Sequence, residues 1–281
     1  MKEIAPNIYA STDYPGVNVG VIALPEGAIA VDAPTLPWDA RAWRQQILEV
    51  TGAPIRYVVL TDGHPDRLLS AGLLEAPIVG CAAAYDRASA YTDGFWRGVV
   101  EGWVRRFPEA ADDLLGARGA LPEIMFTSDI TLHMETMDVT VKQVAGAAPG
   151  SAWIYLPEQA VLFLGDTLVV ERPPLLAAAP DTRAWLNTLT MLRRSRFSEA
   201  TIVPGRGPLG DSSATRPLSD YIALARRRVR SLHRSGQARA DVTPVVTEML
   251  SLFSLPEDEL ELAQRSVKAG LDRVYEELRP E

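Results

Sequence analysis

The sequence predicts an α/β fold followed by a helical C-terminal part. Short apolar runs bounded by turn residues predict strands, as in residues 17–31 around the turn at 25–27 and in residues 55–60. Apolar residues at helical spacing lie between these strands, as in residues 38–50. From about residue 216 onward the helical pattern continues alone. We therefore expect one domain over residues 1–215 and a helical extension over residues 216–281 packed on its core.

The middle of the chain continues the alternation of strands and helices. The strands that we predict there lie at residues 78–81, within 129–145, within 152–165 and at 201–203. A helix is predicted to begin at Asp181, because a short carboxylate side chain commonly caps a helix N-terminus. The apolar inner face of this helix comprises Trp185, Leu186, Leu189 and Leu192.

Residues 82–120 interrupt the β pattern and predict a helical insertion. Trp96, Trp103 and Phe107 follow one another at intervals of seven and four residues, which places them on one helical face. Such a face is typical of core packing or of a contact between two copies of a chain. The sequence therefore leaves open a homodimer.

Three helices are predicted in the C-terminal part. The first carries an apolar stripe from Leu218 to Leu232, and Pro244 and Pro256 open the next two. The first helix also carries a basic run that we interpret as a solvated face, consisting of Arg226, Arg227, Arg228, Arg230 and Arg234.

Composition excludes several classes of protein. The formal net charge of -8 argues against nucleic acid as a partner, because binding to phosphate backbones relies on Lys and Arg. The single cysteine, Cys81, excludes an internal disulfide, and we expect it to be a buried thiol. The sequence has neither an apolar signal core at its start nor a run long enough to span a membrane, so we expect a cytoplasmic protein without a membrane partner.

A loop rich in polar and charged side chains follows the predicted strand at residues 55–60. Residues 61–67 have the sequence TDGHPDR, and side chains that emerge from a strand end commonly build a site. This loop resembles the metal motif of the metallo-β-lactamase superfamily, Thr-His-x-His-x-Asp-His. His64 and Asp66 match the motif, whereas Asp62 and Arg67 stand in place of its first and last histidines.

Further motifs of that family recur in order over about residues 5–210. Residues 146–151, GAAPGS, resemble GHTPGS with Ala147 in place of a ligand histidine. Residues 163–168, FLGDTL, resemble FxGDTL and keep its bridging aspartate, Asp166. Residues 203–208, VPGRGP, resemble VPGHGP with Arg206 in place of the last ligand histidine. Near the start, residues 28–32 resemble the acidic strand end of the family, where Asp32 would support the metal loop without touching a ligand.

The resemblance implies a fold, an ancestry and a pocket. The fold would be a four-layer αββα sandwich with two mixed sheets face to face and helices outside. The ancestry would be that of a hydrolase with a dinuclear metal site. An insertion at the position of residues 82–120 often covers the mouth of the site in this family, so Trp96 and Trp103 would form the pocket wall.

The residues that remain do not suit a dinuclear metal centre. One metal position would keep Asp62, His64 and Asp166, while Ala147 cannot ligate. The other position would have Arg67 and Arg206 where imidazoles belong, and a guanidinium has no lone pair and repels a dication. We therefore expect no second metal.

Two interpretations of the site follow. In the leading one, three carboxylates, those of Asp62, Asp66 and Asp166, face Arg67 and Arg206. The formal charge is -1, or 0 if His64 is protonated. The arginines would pair with Asp66 and Asp166 and replace the charge of the metal, which predicts a metal-free pseudo-hydrolase with no cofactor.

The alternative interpretation is a hydrolase of a small ester, thioester or lactone. It would hold one zinc, iron or manganese ion at Asp62, His64 and Asp166. His64 also has a simpler interpretation as a hydrogen-bonded core histidine, and the two aspartates as braces of their loops. If the pocket binds a ligand, the two guanidiniums favour a small anionic molecule.

Overall fold

The computed structural model describes residues 1–279, apart from the side chains of residues 240, 241 and 258. Two β-sheets lie face to face, and helices cover the outer face of each sheet. The predicted four-layer αββα sandwich is therefore confirmed. Residues 280 and 281, the end of the expected C-terminal extension, lie outside the described residues.

Three apolar clusters fill the spaces between the four layers. In the first sheet, Ile29 faces the second sheet, whereas Ala30 faces the helices outside. In the second sheet, Phe163 faces the first sheet, whereas Leu162 and Leu164 face the C-terminal helices. Because neighbouring residues of a strand point to opposite faces, a strand buried on both faces is an uninterrupted apolar run. This explains the short apolar runs of the sequence.

The first sheet contains seven strands in chain order. They are β1 (Lys2–Ala5), β2 (Ile8–Ser11), β3 (Val19–Leu24), β4 (Gly27–Val31), β5 (Ile55–Val59), β6 (Ile78–Cys81) and β7 (Ile124–Phe126). β1 to β4 pair antiparallel, and β4 to β7 pair parallel. The carboxyl ends of β4, β5 and β6 therefore meet at one edge of the sheet.

The second sheet contains five strands, with the spatial order β12, β11, β10, β9, β8. They are β8 (Asp129–His133), β9 (Asp138–Gln143), β10 (Ala152–Leu156), β11 (Val161–Val169) and β12 (Thr201–Arg206). Only β11 and β12 pair parallel, so these two strands end at the same edge.

Each of the two predicted segments at 129–145 and 152–165 contains a hairpin. The first turns between Met134 and Met137, whose backbone groups are hydrogen bonded. The second turns at Pro157 and Ala160, and Ala160 has a φ of 50°. The apparent alternation from 130 to 141 therefore belongs to two paired strands.

Nine α-helices are described within residues 1–279. They are α1 (Pro37–Thr51), α2 (Pro65–Leu68), α3 (Ala82–Ser89), α4 (Asp93–Arg106), α5 (Ala111–Leu114), α6 (Thr182–Met191), α7 (Thr215–Arg234), α8 (Thr243–Leu250) and α9 (Glu257–Glu277). α1 shows how the sequence determines where a helix begins and ends. Pro37, which needs no hydrogen-bond acceptor, opens it, and Gly52 ends it in a left-handed conformation.

The insertion and the C-terminal part are helical at the predicted places. Residues 82–120 contain α3, α4 and α5, and the part after residue 214 contains α7, α8 and α9. α7 and α9 pack on the outer face of the second sheet through residues such as Ile222 and Leu271. Within residues 1–279, no helix combines the length and the apolar character that crossing a membrane requires.

Arg226 is not part of a solvated face, contrary to our interpretation of the basic run. It is buried and pairs with Glu277 of α9 and with the hydroxyl of Thr182. Glu277 also accepts the backbone N–H of Thr182, which opens α6. This cluster therefore joins α6, α7 and α9. Arg227, the next residue, is exposed as predicted.

The cluster around Arg226 predicts a measurable loss of stability. Arg226→Ala leaves Glu277 without its cation in a largely buried place, so we expect the free energy of unfolding to fall by about 3 kcal/mol. Arg227→Ala on the same helix is the matched control and should change it by less than about 0.5 kcal/mol. Urea unfolding of both variants measures the difference. Equal effects would contradict the role of the cluster.

Candidate functional site

The residues of the former metal motifs lie at one edge of the sandwich, on strands of both sheets and on the segments that follow them. Asp32 follows β4, and residues 61–67 follow β5 and open α2. Asp166 lies within β11, and Arg206 is the last residue of the parallel strand β12. Chain segments that are distant in sequence are thus placed side by side.

Local hydrogen bonds shape the loop that carries the motif. The carboxylate of Asp62 accepts the backbone N–H of His64 at 2.8 Å. The Nδ1 atom of His64 accepts the backbone N–H of Asp66 at 3.2 Å and caps α2. Pro65 occupies the first helical position, where a missing N–H costs nothing. These contacts turn the chain so that Arg67 enters the interior.

Arg67 is the centre of the site, and its side chain is 0% exposed. Its Nε atom donates to Asp32 at 3.0 Å and to the hydroxyl of Thr61 at 2.9 Å. Its two terminal nitrogens donate to the two carboxylate oxygens of Asp166 at 3.1 and 2.9 Å, a bidentate pair. A longer contact of 3.4 Å reaches Asp62.

Arg206 closes the outer side of the same group. Its Nε atom lies 3.2 Å from both oxygens of Asp166, and Nη1 donates to Asp66 at 3.0 Å. Nη2 lies 3.3 Å from Nδ1 of His64. Since Nδ1 also accepts an amide N–H, the imidazole is neutral and carries its proton on Nε2.

We call these residues the ion-pair network; its members are Asp32, Asp62, His64, Asp66, Arg67, Asp166 and Arg206. We expected the two arginines to pair with Asp66 and Asp166. In the structure Arg67 binds Asp166 and Asp32 instead, and only Arg206 joins Asp66 to Asp166.

Asp32 has a larger part in the network than we expected. It is held at a φ of 58°, and its carboxylate accepts the N–H of Thr61 at 2.9 Å and the hydroxyl at 2.6 Å, as well as Arg67. With Asp32 the network has four carboxylates and two guanidiniums. Four negative and two positive charges, with His64 neutral, give a formal charge of -2 rather than -1.

The ionisation of the network follows from burial and pairing. Burial alone would raise the pKa of Asp166, but Arg206 and Arg67 outweigh it and hold this pKa below its ordinary value. For Asp66, the positive charge that His64 carries once it is protonated and the guanidinium of Arg206 likewise outweigh burial and lower the pKa. Burial lowers the pKa of His64 despite the nearby Asp66, and burial raises the pKa of Asp32 despite Arg67.

Two glycines make room for the network, and sequence reasoning missed them. A Cβ atom at Gly205 would lie 2.3 Å from Asp166 Oδ1 and 2.5 Å from Arg67 Nη2. A Cβ atom at Gly165, whose φ is 52°, would lie 2.2 Å from the hydroxyl of Thr61. Both glycines belong to family motifs, Gly165 to residues 163–168 and Gly205 to residues 203–208, and these motifs could have indicated their importance. The network therefore depends on the absence of side chains at these positions.

The remaining predicted residues lie in different places. Trp103 reaches the network as a hydrogen-bond donor, with its Nε1 atom 3.0 Å from Asp66, and not only as an apolar wall. Trp96 is buried against Tyr91 and forms no described contact with the network. Ala147 is buried in the apolar cluster between the second sheet and the C-terminal helices.

A small void lies on the inner side of the network. A void of about 10 Å³ borders Asp32, Thr61 and Asn18, which is about enough for one water molecule. A wider open depression of about 610 Å³ lies along residues 127–129, 142–145 and 148–150, and no network residue lines it. Over the described part of the chain, no group of three or more His, Cys, Asp or Glu residues is placed to hold a metal ion.

Removal of Arg206 should destabilise the fold. Arg206→Gln leaves the buried carboxylate of Asp166 and the largely buried carboxylate of Asp66 short of a cation, so we expect the free energy of unfolding to fall by about 3 kcal/mol. Arg230→Gln, on the exposed face of α7, is the control for the loss of one arginine charge. Chemical denaturation of both variants provides the measurement. A loss below about 1 kcal/mol in Arg206→Gln would mean that the network does not need this guanidinium.

The depressed pKa of His64 predicts a pH dependence of stability. Between the lowered folded pKa and the unfolded value of about 6.5, the unfolded chain binds more protons, so acidification through this range reduces the free energy of unfolding. The raised pKa of Asp32 acts in the opposite direction, because its contribution is lost as the pH rises.

We therefore expect His64→Gln to flatten the slope of stability against pH between about pH 7.5 and about pH 5.5. His133→Gln, on the exposed strand β8, is the control for the loss of a histidine. Urea unfolding at constant ionic strength gives the slopes. The same slope in wild type and His64→Gln would contradict this assignment.

Comparisons with known proteins agree with the geometry of the strands and loops. The family model described as the metallo-beta-lactamase superfamily matches residues 13–206, well over half of the chain. A search of curated protein sequences gives no match. A metallo-beta-lactamase from Pontibacter korlensis is 19% identical, with a TM-score of 0.60, over 79% of this chain and 97% of that one.

Two further solved structures cover nearly the whole chain. A metallo-beta-lactamase family protein from Thermus thermophilus is 18% identical with a TM-score of 0.67, over 98% of this chain and 95% of that one. The stereoselective inverting sec-alkylsulfatase Pisa1 from Pseudomonas sp. is 16% identical with a TM-score of 0.71. The match covers 98% of this chain but only 49% of Pisa1. From the family match and the shared fold, the chain belongs to the metallo-beta-lactamase superfamily.

Proposed function

We propose that this chain is a metal-free pseudo-hydrolase of its superfamily, in which the ion-pair network stands where relatives hold divalent metals. The observation that carries the proposal is the position of the two guanidiniums. Together they donate to both oxygens of Asp166, and one of them also faces Nδ1 of His64. Lone pairs that a metal would need are thus already engaged.

The donor set does not fit a dinuclear centre. Arginine stays protonated in proteins and offers no lone pair, so Arg67 and Arg206 cannot replace imidazole ligands. A dication would also have to approach two guanidinium cations at short range, one of them, that of Arg67, fully buried. The guanidiniums instead compensate carboxylates that would repel one another in a closed pocket without a cation.

A hydrolase with one divalent ion at Asp62, His64 and Asp166 remains the alternative. It would require Arg206 to withdraw from Asp166 and from His64 Nδ1, and the amide N–H of Asp66 to lose its acceptor. The cost of these changes favours the metal-free proposal. Substrates of this alternative would be small esters, thioesters or lactones.

Other predictions about partners follow from the same site. A small anion would have to displace Asp66 from Arg206, since each nitrogen of both guanidiniums already has an acceptor within the network. Anion binding is therefore a less favoured proposal than a pocket closed by its own ion pairs. The homodimer, the cytoplasmic location and the division of the chain at residue 215 stay predictions.

The proposal is tested by metal content and by rebuilding the family motif. We expect the purified protein to contain no stoichiometric zinc, iron or manganese by elemental analysis. The quadruple variant Asp62→His, Arg67→His, Ala147→His and Arg206→His restores the missing imidazoles and should gain zinc affinity. The triple variant Asp62→Ala, Arg67→Ala and Arg206→Ala is the control for loss of the ion pairs alone.

Each outcome decides between the interpretations. Two metals per wild-type chain would overturn the proposal, and one tightly held metal would favour the mononuclear hydrolase. A folded quadruple variant without zinc affinity would show that the four positions are not equivalent to the ligand positions of the family motif.

A further inference from the structure

We infer that Asn18 is a positioning residue of the site, which fixes the segment 204–207 and thereby directs the guanidinium of Arg206 to its carboxylates. Asn18 precedes β3 of the first sheet, whereas this segment lies at the end of β12 in the second sheet. The inference goes beyond the question of metal content, because it concerns how the site is held together. It rests on three hydrogen bonds, on the chemistry of the amide group and on the close fit of the segment against the network.

Asn18 donates three hydrogen bonds to the segment 204–207. Its backbone N–H donates to the carbonyl oxygen of Gly205 at 2.8 Å. Its side-chain Nδ2 donates to the carbonyl oxygens of Pro204 at 2.9 Å and of Gly207 at 2.8 Å. The fourth carbonyl, that of Arg206, accepts a backbone N–H from the residue that follows β11. Every carbonyl of the segment therefore has a donor, and three of the four donors belong to Asn18.

An asparagine side chain is chemically suited to this contact. Its Nδ2 atom carries two N–H donors, and the two carbonyls that accept them lie on either side of Arg206 in the sequence. Aspartate has the same shape but only acceptors when it is ionised, and leucine has no donor. Because Asn18 is only 5% exposed, its removal would leave the buried carbonyl of Pro204 without a donor.

The position of the segment matters because its backbone lies against the ion-pair network. A Cβ atom at Gly205 would lie 2.3 Å from Asp166 Oδ1 and 2.5 Å from Arg67 Nη2. The next residue is Arg206, whose Nε atom lies 3.2 Å from both oxygens of Asp166. Gly207 then has a φ of 87°, a conformation that favours glycine. A shift of this segment would therefore lengthen the contacts of Arg206 with Asp166.

Asn18 acts on the network through this segment alone. Both hydrogen bonds of its side chain end on backbone carbonyls, and none reaches a charged side chain in the part of the chain that the structure describes. Asn18 also borders the void of about 10 Å³ that Asp32 and Thr61 line. It is therefore a residue that places Arg206, and not a member of the ion-pair network.

A double-mutant cycle tests whether Asn18 and Arg206 act together. Asn18→Ala removes both side-chain donors, and Arg206→Gln removes the guanidinium. If Asn18 directs Arg206, both changes affect the same contacts. The factor by which Arg206→Gln lowers the folding equilibrium constant, measured by urea unfolding, should then be about tenfold smaller in Asn18→Ala than in wild type. Arg226→Ala is the control, because Arg226 shares no described partner with Asn18, and its effect should be the same in both backgrounds.

NMR of ¹⁵N-labelled arginine side chains reports on the site independently of global stability. The Nε–H signal of Arg206, assigned by its loss in Arg206→Gln, should exchange with solvent about tenfold faster in Asn18→Ala, because its contacts with Asp166 lengthen. The Nε–H of Arg67, which donates to groups that follow β4 and β5, is the internal reference and should keep its rate. Asn187→Ala, on the exposed face of α6, is the matched control for the loss of an asparagine amide.

The results separate positioning from a general contribution to stability. A cycle in which the two effects do not multiply, together with faster exchange confined to Arg206, supports the inference. If the two effects multiply, or if exchange at Arg206 keeps its wild-type rate or rises equally at Arg67, Asn18 only stabilises the fold and the inference is wrong. Asn18→Ser, which keeps one shorter donor, gives the same two readouts with the same criteria should Asn18→Ala not fold.

Discussion

The carboxylate of Asp166 is the acceptor on which the rest of the site depends. It is 1% exposed and binds two guanidiniums, one from α2 and one from the end of β12. If the carboxylate were buried against one arginine alone, lone pairs of its oxygens would lack a hydrogen-bond donor. The second arginine supplies the missing donor. Arg67 then needs Asp32 for its remaining donor, and Arg206 needs Asp66. The surrounding segments are arranged so that each of these buried donors and acceptors has a hydrogen-bond partner.

The architecture supplies the positions that this chemistry needs. Because β4 and β5 are parallel, Asp32 and Thr61 leave the first sheet side by side. In the second sheet, the parallel pairing of β11 and β12 brings Asp166, which lies within β11, close to Arg206 at the end of β12. The two pairs face each other only because the sheets pack face to face. Replacing residues at these positions changes the chemistry of the site without changing the fold, which is why a family fold does not establish an activity.

The sequence predicted the fold and the members of the site better than their contacts. The order and spacing of the motifs placed His64, Asp166 and Arg206 together, because those motifs occupy fixed positions at strand ends. The partner of each arginine depends on rotamers and on distances of a few tenths of an ångström, which spacing does not encode. Arg226 shows the same limit in the helical part, because its partner lies 51 residues away on another helix. The sequence of a run of arginines does not show which of them is buried, because this depends on which helix packs beside the run.

The hydrogen bonds of the network join residues that are far apart along the chain, and this has a consequence for folding kinetics. Arg67 and Asp166 are separated by 99 residues, and Arg206 and Asp66 by 140. Contacts of such separation form after the two sheets have met, since the closure of long loops must come first. Interactions absent from the transition state slow unfolding rather than speed folding. We therefore expect the ion pairs to slow unfolding and to contribute little to the rate of folding.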